Sequence, residues 1–208
     1  MKQILPGIFT WSWLSPKHGY KFNGYAIKSR EGLVIIDPAV MNEYDWIELE
    51  SIGTPRHVVL TNSDHERISG EFRERYNAKI YIHEKDAPLL KAPPDVTFKN
   101  GTMLPGGLET INVNDNKTPG ETALFTKRGH GALFIGDAVI GWPRGELALL
   151  PREKYKDAKK AKDAIAKLLE YDYESLLLGD GEPIATDAKS AVVRFLVNDD
   201  PHLTLPVS

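Results

Sequence analysis

The chain has 208 residues, 41% hydrophobic and 26% charged, with a formal net charge of −3; this is the profile of a soluble globular domain with one sizeable core. It has no cysteine, which excludes disulfides and thiolate metal ligands. No clustered basic face argues for nucleic acid, no apolar run approaches the roughly 20 residues that span a membrane, and "MKQILPGIFTWSW" lacks the apolar core of a signal peptide. A cytoplasmic protein is the expectation.

The first third reads as strands and then alternating helix and strand. "GIFTWSW" and "KFNGYAIKS" are β-rich, and the Glu31-Gly32 turn leads into "LVIIDP", an apolar run expected to be a buried central strand. Residues 42–52 have helical spacing, with Tyr44, Trp46, Ile47 and Leu49 as apolar positions and Gly53 as the stop. "RHVVLT" predicts the next buried strand. A short helix from Arg67 should place Ile68, Phe72 and Tyr76 on one face and be capped by Asn77. "AKIYIH" is a further strand. Residues 93–120, rich in Pro, Gly and Asn, predict loops joining short strands. "TALFTKRGHGALFIGD" reads as a β-hairpin. The last third predicts a helix through Ala158, Ala161, Ile165, Leu168 and Leu169, a strand at "SLLLGDG", and a helix through Ala188, Ala191, Val192, Phe195 and Leu196 capped by Thr186. The lysine-rich "KYKDAKKAKDAIAKLLE" is a solvated helix face. One α/β domain over residues 1–208 is the simplest organisation.

Several apolar runs end in polar clusters. "VVLT" is followed by Asn62, Asp64, Glu66 and Arg67, "ALFIG" by Asp137 and "LLLG" by Asp180, while a fourth loop carries Lys117 before Thr118-Pro119-Gly120. Ligands commonly sit at the C-terminal ends of strands. Each residue alone is explained as well by a cap or a turn; four such loops together point to a site.

In order and spacing, "LTNSDHERISG", "KTPGE", "FIGDAV" and "LLLGDGEP" resemble the site loops of the metallo-β-lactamase superfamily, and "FNGYAIKS…GLVIIDP" resembles its opening strands. The resemblance implies a four-layer αββα sandwich of two mixed sheets. It also implies a dinuclear site built on His-x-His-x-Asp-His, a His before Thr-Pro-Gly, a bridging Asp and a last His. Aligned on Thr61 and on Ser69-Gly70, those ligand positions hold Asn62, Asp64, Glu66, Arg67, Lys117, Asp137 and Asp180, so only the bridging Asp137 is kept. A register shifted by two would pair Asp64-His65 with the Asp-His of the signature. It puts Leu60 at a ligand position and loses the other matches, and the preferred register leaves His65 between ligand positions.

Lys117 and Arg67 are donors only and supply charge from within the chain. Against the four carboxylates of Asp64, Glu66, Asp137 and Asp180 they leave an excess of two negative charges. The expectation is a metal-free salt-bridge network, with a single hard ion (Mg²⁺, Mn²⁺ or Ca²⁺) on Asp64, Asp137, Asp180 and Asn62 or Glu66 as the alternative, and zinc disfavoured. Trp11, Trp13, Tyr20 and Trp142 lie in segments that border the pocket in the resembled fold, although core packing is the commoner explanation for a tryptophan. Three functions stay open. One is binding of a small molecule or partner without metal. The second is hydrolysis of an ester, thioester, lactone or phosphoester through one hard-metal-activated water. The third is metal-free acid–base chemistry. Asp137, Lys117 and Glu66 are the candidate catalytic groups, and the oligomeric state is open, a homodimer included.

Overall fold

A computed structural model describes residues 1–198, so the last ten residues of the expected 1–208 domain fall outside the described residues. Seven strands follow one another across one sheet: Lys2–Leu5 (β1), Ile8–Leu14 (β2), Lys21–Ser29 (β3), Gly32–Ile36 (β4), Pro55–Val59 (β5), Lys79–His83 (β6) and Val96–Phe98 (β7). β1 to β4 pair antiparallel and β4 to β7 pair parallel. A second sheet holds Met103–Leu104 (β8), Leu108–Asn112 (β9), Thr122–Thr126 (β10), Ala132–Ile135 (β11) and Ser175–Leu178 (β12), in the order β12-β11-β10-β9-β8 with β11 and β12 parallel. β1 has no clear sequence signal; its four residues carry little apolar patterning and it pairs only at the sheet edge.

The pleat assigns each apolar side chain to a layer. In β4, Leu33 and Ile35 pack with Trp46, Leu49 and Phe72, whereas Val34 and Ile36 meet Leu124, Phe134 and Leu177 of the other sheet. The strand is covered on both faces, which is why its sequence is continuously apolar rather than alternating. β12 divides likewise, Leu177 pointing to the first sheet and Leu176 and Leu178 to helices. Helices Glu43–Ile52 (α1) and Ser69–Tyr76 (α2) cover the first sheet, and Ala158–Ile165 (α3) and Ala188–Val197 (α4) cover the second. The result is the expected four-layer αββα sandwich.

The helix termini differ in detail from expectation. Asn42 closes a capping box with Asp45 on α1, whose Trp46 and Leu49 are buried but whose Tyr44 and Ile47 lie exposed. The segment before α2 is a single 3₁₀ turn, Ser63–Glu66, and α2 starts only at Ser69; Asn77 ends it in the left-handed conformation. Asp187, not Thr186, precedes α4, and it makes no side-chain cap.

Two sets of polar contacts hold the loops at one end of the sandwich. Asn23 of β3 donates from Nδ2 to the carbonyls of Leu178 and Gly181, both at 2.8 Å, and the Tyr25 hydroxyl donates to Leu178 at 2.7 Å, stitching the sheets together. Asp86, fully buried after β6, accepts from the backbone N–H of Ser63 at 3.0 Å and of Gly120 at 2.6 Å. It thereby ties the loop after β5 to the loop before β10. Asp86→Ala leaves two buried N–H groups unsatisfied and is expected to cost about 3 kcal/mol, read by urea unfolding. Gly120→Ala should cost a similar amount, because its Cβ would fall 2.7 Å from the Asp86 carboxyl. A loss below about 1 kcal/mol in both variants would contradict this role.

Candidate functional site

The C-terminal ends of β4, β5, β11 and β12 lie at the same end of the sandwich and bring their loops together. β4 delivers Asp37, whose φ of 47° turns the chain out of the sheet. β5 leads into Thr61 and the 3₁₀ turn, where Asn62 Oδ1 accepts from His65 N–H at 3.1 Å. β11 and β12 end in Asp137 and Asp180, and the loop before β10 brings Lys117 and Glu121.

The charged groups interleave. Lys117 Nζ lies 2.5 Å from Asp64 Oδ2 and 2.8 Å from Asp137 Oδ2. Arg67 Nη2 lies 2.6 Å from Asp180 Oδ1, and Nη1 donates to the carbonyls of Asn23 at 3.0 Å and Asp37 at 3.3 Å. Its guanidinium stacks on Phe22, 4.6 Å from the ring centroid. These contacts hold Arg67 at φ 40°, a conformation that costs a residue with a Cβ on the order of 1–3 kcal/mol.

His65 sits at the centre. Its Nδ1–H donates to Asp37 Oδ2 at 2.8 Å, and Asp37 also accepts from the Thr61 hydroxyl at 2.6 Å and the Thr61 N–H at 2.9 Å. His65 Nε2 lies 3.5 Å from Asp137 Oδ1, 3.9 Å from Asp180 Oδ1 and 3.1 Å from Arg67 Nη2. Beneath it, Gly136 leaves room for buried polar groups: a Cβ there would meet Asn62 Nδ2 at 2.6 Å and Glu121 Oε1 at 2.9 Å. Glu121 Oε1 accepts from Ala138 N–H at 3.2 Å, and the Asn62 side-chain amide pairs with the Glu121 carboxyl.

Of the residues singled out in the sequence, Asp64, Arg67, Lys117, Asp137 and Asp180 converge on one cleft of about 600 Å³, which Tyr20 and Trp142 also line. Others do not reach it. Glu66 turns outward and its carboxylate accepts from the Lys91 N–H at 3.1 Å, because the 3₁₀ turn and the reversal at Arg67 point it away from the strand ends. It is therefore not brought among the site carboxylates. Asn62 is a buried cap under the turn rather than a cleft residue. Trp11 is a core residue whose indole donates to the Ala39 carbonyl at 2.9 Å, and Trp13 packs on Phe22; neither lines the cleft. Conversely, His65 faces the cleft, and Asp37 and Glu121, which no sequence motif singles out, stand behind it.

Burial and the Arg67 charge oppose a proton on His65, but Asp37 and Asp137 outweigh them and push its pKa up to about 10. Burial likewise works against an ionised Asp137, yet His65 and Lys117 hold it well below the ordinary carboxylate range. Glu121, buried and near Asp137, is pushed well above that range. Asp180 is raised by burial, with Arg67 opposing. For His65, a pKa raised above the unfolded value of about 6.5 gives stability that is complete below that pH and lost as pH climbs through about 10. A ring-proton NMR titration should accordingly find His65 protonated at pH 8, whereas a midpoint near 6.5 would mean that burial and the Arg67 charge 3.1 Å from Nε2 outweigh the two aspartates.

No curated protein matches the chain in sequence. Among solved structures, it superposes on a metallo-beta-lactamase from Pontibacter korlensis with a TM-score of 0.76 at 21% identity, covering 95% of this chain and 98% of that one. A metallo-beta-lactamase family protein from Thermus thermophilus gives 0.71 at 17% identity over 93% and 79% of the two chains. BJP-1, a subclass B3 metallo-beta-lactamase of Bradyrhizobium japonicum, gives 0.63 at 18% identity over 91% and 89%. These likenesses establish the fold. A family model, that of the metallo-beta-lactamase superfamily, matches residues 1–198, and the chain belongs to that superfamily.

Proposed function

We propose that this protein is a metallo-beta-lactamase-fold domain that works without a metal ion, its dinuclear centre replaced by a carboxylate–lysine–arginine network roofed by a cleft for a small molecule. The observation that carries the reading is the position of the two cations. Lys117 Nζ bridges Asp64 and Asp137, and Arg67 Nη2 lies against both Asp180 and His65. A protonated amine and a guanidinium have no lone pair to offer a metal. The donor set does not fit two divalent ions: each carboxylate facing the cleft floor already has a cation from the chain, and the one imidazole, His65, has only Nε2 left to offer, with Arg67 Nη2 3.1 Å from it. Four carboxylates (Asp37, Asp64, Asp137 and Asp180) face three cations (His65, Arg67 and Lys117). This is closer to balance than the sequence implied, because Glu66 is absent and His65 is present.

One observation favours a second reading. His65, Asp137 and Asp180 each present a ligand atom, and the three lie within 4.8 Å of one another. If Arg67 and Lys117 were displaced, this trio would offer oxygen-rich ligation to one hard ion, the arrangement of a divergent hydrolase acting on an ester, thioester, lactone or phosphoester.

Metal analysis by mass spectrometry, on protein purified without chelator, separates the two. No stoichiometric ion, and melting curves unmoved by Mn²⁺, Mg²⁺, Zn²⁺ or EDTA, are expected. One equivalent of a hard ion with a matching stabilisation would transfer support to the hydrolase. The network makes its own prediction for stability. Lys117→Met strands the buried Asp137 and should cost about 3 kcal/mol, whereas Asp64→Ala, at a carboxylate half exposed to solvent, should cost under about 1 kcal/mol. Equal costs in urea unfolding would contradict the assignment of Lys117 to Asp137.

A further inference from the structure

The floor and the mouth of the cleft differ in how their charges are met. On the floor, Asp64 and Asp137 are held by Lys117, and Asp180 by Arg67, all at 2.5–2.8 Å. At the mouth, Lys17 and Lys154 line the cleft, both exposed, and neither side chain is in an ion pair or hydrogen bond among the described residues. Both lie near enough to His18 for their charges to oppose its protonation, which burial also disfavours. His18 is oriented by a 2.8 Å hydrogen bond between its Nδ1 and the Ser15 hydroxyl. The opposing acid is Glu153, also exposed on the lining. Lys117 spends two of its three N–H donors on carboxylates, and its side chain is a quarter exposed toward the cleft. In a chain of net charge −3, the uncommitted charge at this opening is positive.

The wall is apolar. Trp142 is 44% exposed, an unusual state for a tryptophan, and Leu150 and Pro151 line the same cleft. A volume of about 600 Å³ lies within the range of small-molecule sites.

We propose that the cleft takes a small organic oxyanion, with a carboxylate or phosphate head held by Lys17 and Lys154 and approached by the spare donor of Lys117, and a flat apolar body laid on Trp142. This rests on the metal-free reading of the floor, since a cation seated there would itself attract the anion. Charge-assisted hydrogen bonds from lysines supply the grip, and aromatic contact supplies the desolvated area.

Four probes of one shape test it on the full chain: benzoate, phenyl phosphate, neutral benzyl alcohol and cationic benzylamine, followed by calorimetry and tryptophan fluorescence at low and high salt. Benzoate, phenyl phosphate or both should bind at millimolar concentration, more weakly at high salt, and whichever is tighter identifies the head group. The double variant Lys17→Gln/Lys154→Gln should lose at least tenfold in affinity with an unchanged melting temperature, because both side chains are exposed and unpaired. Trp142→Leu should abolish the fluorescence response. Equal binding of benzyl alcohol, an unaffected lysine variant, or no anion binding at all would overturn the inference. Metal content measured on the same samples keeps the two claims apart. A metal-free protein that ignores the anions sinks this inference alone, whereas anion binding that disappears with EDTA sinks the metal-free reading.

Discussion

Everything at this end of the molecule depends on one electrostatic constraint: several carboxylates, most of them buried, are delivered together by the ends of parallel strands and have to be neutralised there. Uncompensated, they would raise one another's pKa values and oppose folding. The compensation comes from side chains. Lys117 meets Asp64 and Asp137, Arg67 meets Asp180, and His65 is clamped by Asp37 beneath the other two aspartates. Burial instead raises the pKa of the Glu121 carboxyl. Such an arrangement need not stabilise the fold relative to an apolar core, but removing Lys117 or Arg67 leaves a buried carboxylate stranded.

The rest of the architecture is arranged to hold this set in register. Asp86 joins the loop bearing Asp64 and His65 to the loop bearing Lys117. Asn23 and Tyr25 tie β3 to the end of β12, and so fix Asp180 relative to the first sheet. Arg67 accepts an unfavourable backbone conformation and recovers it through carbonyl, carboxylate and aromatic contacts made by one guanidinium. Site and scaffold are therefore mutually dependent.

Much of this is legible in the sequence. Apolar runs with period-two layering mark the strands around Val34 and Leu177, and the order of four polar loops points to the superfamily and places Arg67, Lys117, Asp137 and Asp180 near one another. Side-chain direction is not legible. The spacing of "DHER" fixes a register but not which residues face inward, and the reversal at Arg67, with φ 40°, is not encoded by a glycine or asparagine that would announce it. Hence the sequence puts Glu66 inside and His65 outside, and the structure exchanges them. Asp37 reads as the end of a strand, because its role depends on Thr61 and His65, remote in sequence. Glu121 belongs to one of the polar loops, but the burial that raises its carboxyl pKa leaves no trace in local composition. Trp11 and Trp142 look alike in sequence; only packing separates the core residue from the exposed one.

The central claim is that the chain's own cations stand where metal ions sit in the resembled site. Diffraction from crystals grown with Mn²⁺, with anomalous data collected at the manganese edge, tests it most directly. The expected result is an ordered Lys117 side chain with Nζ within hydrogen-bond distance of Asp64 and Asp137, and no anomalous peak between them or beside Asp180. An anomalous peak among His65, Asp137 and Asp180, with Lys117 and Arg67 swung away, would contradict it.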